Sequence, residues 1–185
     1  MKTTDYLNTI IQELKAAASA VSDSEAEQLA KQIIQSDKVF VAGAGRSGLM
    51  SRSLSMRLMQ MGRESYVVGE TSTPPLQSGD LLIVGSGSGE TKTLLAIAEK
   101  AKSLGGKVAV ITTAPDSTIG RLADITVQLT GATKDQTANN TQTIQPMGSL
   151  VEQTMLLFYD AVVLRLMELT ELDTEKMYAH HANLE

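Results

Sequence analysis

Five short apolar runs, at 39–42, 66–68, 81–84, 108–112 and 125–129, punctuate the middle of the chain, with stretches of helical periodicity between them. The runs are rich in Val, Ile and Leu, show little polar alternation, and end in glycine or charge. Strands buried on both faces have this pattern, and they occur in parallel sheets covered by helices. The intervening segments at 49–61, 92–104 and 117–123 supply the crossover helices that parallel strands require. This βαβ succession predicts an α/β fold with an open, five-stranded parallel sheet and helices on both faces.

Two helices are expected ahead of the sheet. In the first, Leu7, Ile10, Ile11, Leu14 and Ala18 recur at helical spacing; the second opens on Ser22 with Glu25 three residues on, a capping box, and then buries Ala26, Leu29, Ile33 and Ile34. Beyond the last run, the polar segment 130–145 lacks periodicity and reads as a lid or binding loop. A helix expected at 147–168 is apolar nearly all round through Met155, Leu156, Leu157, Phe158, Ala161, Val162, Val163, Leu164, Leu166 and Met167. One of its faces fits the sheet, and the other calls for cover by a second subunit. A last helical turn or two from Asp173 carries the only histidines, His180 and His181. The 185 residues suit one domain, built as N-terminal helices at 1–36, a parallel core at 37–146 and C-terminal helices at 147–185. Met50, Met56, Met59 and Met61 read as flexible core fillers.

Composition removes several functions. Without cysteine there is no disulfide, zinc–thiolate site or thiol nucleophile. A net charge of −5 argues against nucleic acid, whose binding needs basic patches. Aromatic residues are limited to four tyrosines and two phenylalanines, too few for a base- or sugar-stacking surface. The opening MKTTDYLNTI lacks the pattern of a signal peptide, and no apolar run approaches the ~20 residues of a membrane helix, so a cytoplasmic protein is expected.

Two turns point to a site. The first run leads into Gly43-Ala44-Gly45-Arg46-Ser47-Gly48, and the third into Gly85-Ser86-Gly87-Ser88-Gly89-Glu90-Thr91, each followed at once by a helix. Gly45 and Gly87 let the backbone approach a ligand, the helix N-termini present free amides, and Ser47, Ser86, Ser88 and Thr91 add hydroxyl donors. Together these suit a phosphate dianion. The bland alternative is a pair of tight turns whose serines cap helices. In a sheet of order 2-1-3-4-5, however, the direction reverses between the first and third strands, so both turns border one crevice. The first turn also satisfies G-x-G-x-x-G, with Glu70 about 20 residues on, which keeps a nicotinamide-dinucleotide-binding protein as a competing reading.

GAGRSGLMSRSLSMRLMQMG, TPPLQSGDL, SGSGETKTL, IQPMGSLVEQ and the C-terminal HHANLE, taken together, resemble the sugar isomerase (SIS) domain family, and within it the 6-phospho-3-hexuloisomerases. The resemblance implies a single SIS-type three-layer α/β/α sandwich, flavodoxin-like in strand order, assembled as a homotetramer without metal or organic cofactor. It implies interconversion of D-arabino-3-hexulose 6-phosphate and D-fructose 6-phosphate through a 2,3-enediol. The setting would be formaldehyde fixation or detoxification by the ribulose monophosphate pathway, coupled to hexulose-6-phosphate synthase. It makes Ser47, Ser86, Ser88 and Thr91 phosphate ligands, Glu152 the catalytic carboxylate, and His180 or His181 a second acid–base group, acting in a neighbouring subunit's site. Some SIS domains are instead non-catalytic phosphosugar sensors, and that reading stays alongside.

The residues themselves leave two roles open. Ser149-Leu150-Val151-Glu152 also has the form of a capping box, which would make Glu152 a helix cap. Arg46 suits either pairing with the phosphate or bracing its loop.

Overall fold

In the computed structural model, which describes residues 1–131 and 143–184, the apolar runs form β1 (Val39–Gly43), β2 (Ser65–Val67), β3 (Leu81–Gly85), β4 (Lys107–Thr112) and β5 (Ile125–Gln128). They pair in parallel in the order β2-β1-β3-β4-β5, as expected. Most of the expected loop 130–145 falls outside the described residues.

Alternation across the strands divides the core. Val39, Val41, Leu81, Ile83, Ala109, Ile111 and Val127 face one side, where α2 (Asp23–Gln35), α3 (Gly45–Gln60) and α6 (Ser149–Leu169) pack through Leu29, Ile33, Leu54, Leu58, Met155 and Phe158. Phe40, Ala42, Leu82, Val84, Val108 and Val110 face the other, against Leu94, Ala98 and Ala101 of α4 (Lys92–Ser103) and Ile119 of α5 (Thr118–Leu122). Helices on both faces make three layers. The central strands are held together where they begin: buried Asp80 accepts from the amides of Lys38 (3.1 Å) and Gln77 (2.7 Å), and Lys38 Nζ lies 3.7 Å from it. A carboxyl group can be buried at this end of the central strands because donors surround it.

Several local expectations need correction. The capping box at Ser22 is half formed: its Oγ accepts from the Glu25 amide, but the Glu25 carboxylate accepts instead from Gln128 N–H of β5 at 2.8 Å. α3 starts four residues before the expected helix, at Gly45, so the first glycine turn is itself helical N-terminus. Met56 and Met59 are exposed on α3 and fill no core, whereas Met50 and Met61 pack against it. α1 (Thr3–Ala18) lies on α6 and buries only Ala17; Leu7 and Ile11 of its apolar stripe are each 54% exposed. A short α7 (Thr174–Tyr178) follows α6.

Candidate functional site

Gly43 and Gly85 are register partners, so the two glycine turns leave adjacent strands at the same level of the sheet. This is the point where strand order reverses, and the crevice opens beyond the strands' carboxyl ends. Close packing makes the junction possible. A Cβ at Gly48 would stand 2.6 Å from the Gly43 carbonyl oxygen, and one at Gly85 would meet Ser51 Oγ at 2.7 Å and Met155 Sδ at 3.0 Å. Beneath Gly85 lies Tyr159, whose phenol burial pushes far above its ordinary titration range and so keeps neutral.

The second turn is built before any ligand arrives. The Gly87 carbonyl accepts from Thr113 N–H (3.0 Å), Thr113 Oγ1 (2.9 Å) and Thr112 Oγ1 (3.1 Å). Gly89 has φ +63°, and a Cβ there would fall 1.9 Å from Ser117 Oγ, so only glycine fits. Glu90 reaches sideways to α5, its carboxylate accepting from Thr118 N–H (2.7 Å) and Oγ1–H (2.8 Å), and those bonds hold its pKa below the ordinary value.

The serines do the work of a turn as well. Ser86 Oγ accepts from Gly89 N–H at 3.2 Å, and Ser88 Oγ accepts from Glu90 N–H at 3.3 Å. Each hydroxyl keeps its own hydrogen to donate. Ser86 is buried and Ser88 exposed. Thr91 takes the N-cap of α4 without a side-chain capping bond, and Ser47 lies in the first turn of α3, so both candidate hydroxyls stand beside amide-rich helix starts.

Glu152 is not a cap. Gly148, with φ 82°, occupies the N-cap of α6, and the Glu152 amide donates to its carbonyl at 3.1 Å. Ser149 is the first helical residue, and its Oγ donates to Pro146 O at 2.7 Å. The capping-box reading fails because glycine one position earlier adopts the left-handed conformation and moves the helix start. Glu152 is 7% exposed, and Arg46 of the first turn meets it: Nη1 donates to Glu152 Oε2 at 3.3 Å and to Ser149 Oγ at 2.9 Å. Arg46 therefore reaches a carboxylate on another element, which is neither of the two roles the sequence left open for it, phosphate pairing or bracing its own loop.

The histidines lie elsewhere in the chain. A Cβ at Gly62, just past the far end of α3, would come within 3.6 Å of the His180 ring. The 16 residues of α3 separate that point from the glycine turn by roughly 24 Å. His180 Nδ1 is 3.2 Å from Lys176 O, and His181 stacks with Tyr178 at 6.0 Å between ring centroids. Neither reaches the crevice of its own chain. Glu70, the acid of the dinucleotide fingerprint, is engaged by Arg52 of α3.

Two contributors escaped the sequence reading. Glu90 stands inside the quoted motif, but its partner Thr118 lies on another element. Glu13 of α1 accepts from three groups just ahead of α6, and nothing near it in sequence signals that.

The SIS domain family profile matches residues 32–157. The chain is 57% identical, over the full length of both, to the 3-hexulose-6-phosphate isomerase of Bacillus subtilis strain 168. It is 42% identical to the 3-hexulose-6-phosphate isomerase of Mycobacterium gastri, covering 98% of this chain and 91% of that one. A crystal structure of a hypothetical protein from Methanococcus jannaschii, described as inferring a molecular function of 3-hexulose-6-phosphate isomerase, superposes with a TM-score of 0.81 at 33% identity and full coverage of both chains.

Proposed function

Because the chain belongs to the SIS domain family, we propose that it is the isomerase that converts 3-hexulose 6-phosphate to fructose 6-phosphate, and the reverse, with Glu152 as the base. The observation that carries this reading is the contact between Arg46 of the first glycine turn and the buried Glu152 carboxylate, which sets a base beside the amide-rich rim.

The phosphate seats on the two turns, taking hydrogen bonds from Ser47, Ser86, Ser88 and Thr91, with Gly45 and Gly87 allowing close backbone approach. In the 3-ketose, O6 is phosphorylated, and O1 or O5 would close only four-membered rings. The substrate is therefore open and needs no ring-opening base. Glu152 takes the proton from C2; the C–H electrons form the C2–C3 double bond and charge passes to O3. The protonated carboxyl returns its proton to C3 as the O2–H bond breaks and the C2 carbonyl forms. The hydroxyl proton moves from O2 to O3. The Arg46 guanidinium stabilises the enediolate but is always charged and passes no proton. The oxygen-to-oxygen transfer falls to water or to His180 or His181 of a second chain.

Working as an oligomer, with four chains the expected number, is supported by the apolar faces that α1 and α6 leave open. The synthase joining formaldehyde to ribulose 5-phosphate supplies the substrate, and both steps run in the cytoplasm, where charged sugar phosphates are retained. Incubation with ribulose 5-phosphate, formaldehyde and that synthase should yield fructose 6-phosphate only when this chain is added. Its absence would overturn the reading. A melting temperature raised by NAD and untouched by fructose 6-phosphate would favour a dinucleotide site instead.

A further inference from the structure

The start of α6 is fixed from two sides, and one of them lies outside the crevice. Arg46 holds Ser149 and Glu152 from the first turn. From α1, Glu13 accepts Thr143 Oγ1–H (2.7 Å) and Gln145 Nε2–H (2.9 Å) at Oε2, and Ile144 N–H (2.9 Å) at Oε1. Burial works against the Glu13 charge, but the bonds from Gln145, Ile144 and Thr143 outweigh it and leave the carboxyl below its ordinary pKa. Directly after this segment the backbone passes through two left-handed residues, Met147 at φ 59° and Gly148 at φ 82°. A side chain at Met147 makes that conformation strained, and such strain persists only where surrounding contacts over-determine it. The Ser149 amide and hydroxyl bonds to Pro146 O are two such contacts, and the three bonds to Glu13 add to them from outside the turn. Glu152 lies one helical turn beyond.

We propose that Glu13 is the positioning residue for Glu152: by tying residues 143–145 to α1 it fixes the left-handed turn, and so the direction in which α6 presents its carboxylate to the crevice. This rests on the reading of Glu152 as the base. It makes α1, which contributes one buried residue to its own chain, part of the geometry of catalysis. Base catalysis is sensitive to such geometry, since a displacement of about 1 Å can cost on the order of 10²-fold in rate.

The test compares the parent with Glu13→Ala and Glu13→Gln in steady-state kinetics and in backbone hydrogen exchange. Alanine removes all three bonds. Glutamine keeps an acceptor for Ile144, and Thr143 and Gln145 can reverse their roles to accept from its amide. For Glu13→Ala, kcat should fall by about ten-fold or more while KM stays within about two-fold, because the phosphate turns are untouched. Amides 149–152 should exchange faster, and Glu13→Gln should restore most of the rate. Parental kcat in Glu13→Ala overturns the proposal, as does a rise in KM alone. If Glu13→Ala does not fold, Glu13→Gln decides: a ten-fold loss with no change in exchange at 149–152 also overturns it. An inactive parent would sink the isomerase reading alone, and unchanged exchange at 149–152 in Glu13→Ala would then independently sink the positioning role.

Discussion

Glu152 is a carboxylate whose burial and partner both point away from a structural cap. In a capping box, the serine hydroxyl would accept from the Glu152 amide; here that amide bonds the Gly148 carbonyl and the Ser149 hydroxyl donates to Pro146. Removing the side chain therefore costs no cap. Its ion pair is with an arginine whose side chain is 45% exposed, so solvent screens it and it contributes no more than about 1 kcal/mol. We expect Glu152→Gln to melt within a few degrees of the parent and to bind fructose 6-phosphate. Its turnover should drop by at least ~10²-fold, because an amide cannot take a carbon-bound proton. Near-parental turnover would remove Glu152 from the chemistry and direct attention to the histidines. The sequence resolved the residue but not its local role, since Gly148 at φ 82°, one position before Ser149, sets the helix start and no side-chain pattern reports φ.

At the scale of elements, the β1 and β3 turns work because glycine lets helix and strand touch. A Cβ at Gly48 would sit 2.6 Å from the Gly43 carbonyl, which is backbone and cannot rotate aside. We expect Gly48→Ala to push α3 off β1 at a cost of about 1–3 kcal/mol and to weaken phosphosugar binding by moving Ser47 and Arg46 together, measurable by thermal melting and calorimetric titration. The second turn carries a pH dependence through Glu90. Its pKa is lowered, first by the Thr118 amide and then by the Thr118 hydroxyl, so its contribution is present above the ordinary value of 4.5 and is lost as pH falls through the lower folded-state value. Glu13, Glu27, Asp124 and Asp173 are lowered too, so the parent loses stability with acid through several groups. Melting of Glu90→Gln should fall less steeply below pH 4.5 than melting of the parent; parallel curves would show that the Thr118 clamp adds nothing. The strands were legible to within a residue or two because period and composition are local properties. The clamps of Glu90 on Thr118 and Glu13 on residues 143–145 were not, because each joins elements that only the fold brings together.

For the whole molecule, the apolar stripe of α1 and the all-round apolarity of α6 were legible in the sequence, and a single chain leaves part of both uncovered. Leu157 is 46% exposed and Leu164 66% exposed on α6, and Tyr6, Leu7 and Ile11 are exposed on α1. Beside them a groove of about 590 Å³ runs between the end of α1, α2 and α6, lined mainly by apolar residues such as Ala26, Leu157 and Phe158, with Asp23 and the Glu27–Arg165 ion pair also on its wall. Isolated exposed leucines are ordinary, but a largely apolar groove next to an uncovered helix is the kind of surface that subunit interfaces use, and it supports the proposed assembly. The position of the histidines adds a second reason. If His180 or His181 moves the hydroxyl proton, it does so in another chain's crevice, since its own lies roughly a full α3 length away, about 24 Å. We expect light scattering at low concentration to give about four chains, or two if only one of the apolar faces is used. Leu164→Glu places a charge at a site that is harmless in a monomer and costly in an apolar interface. It should reduce the measured mass while leaving the helical content of each chain intact. Activity should fall with the mass if a histidine is supplied in trans, and should survive dissociation if water carries the proton. A parental protein that is monomeric and fully active would remove the interface and the trans histidine together, leaving Glu152 and Arg46 as a site complete within one chain.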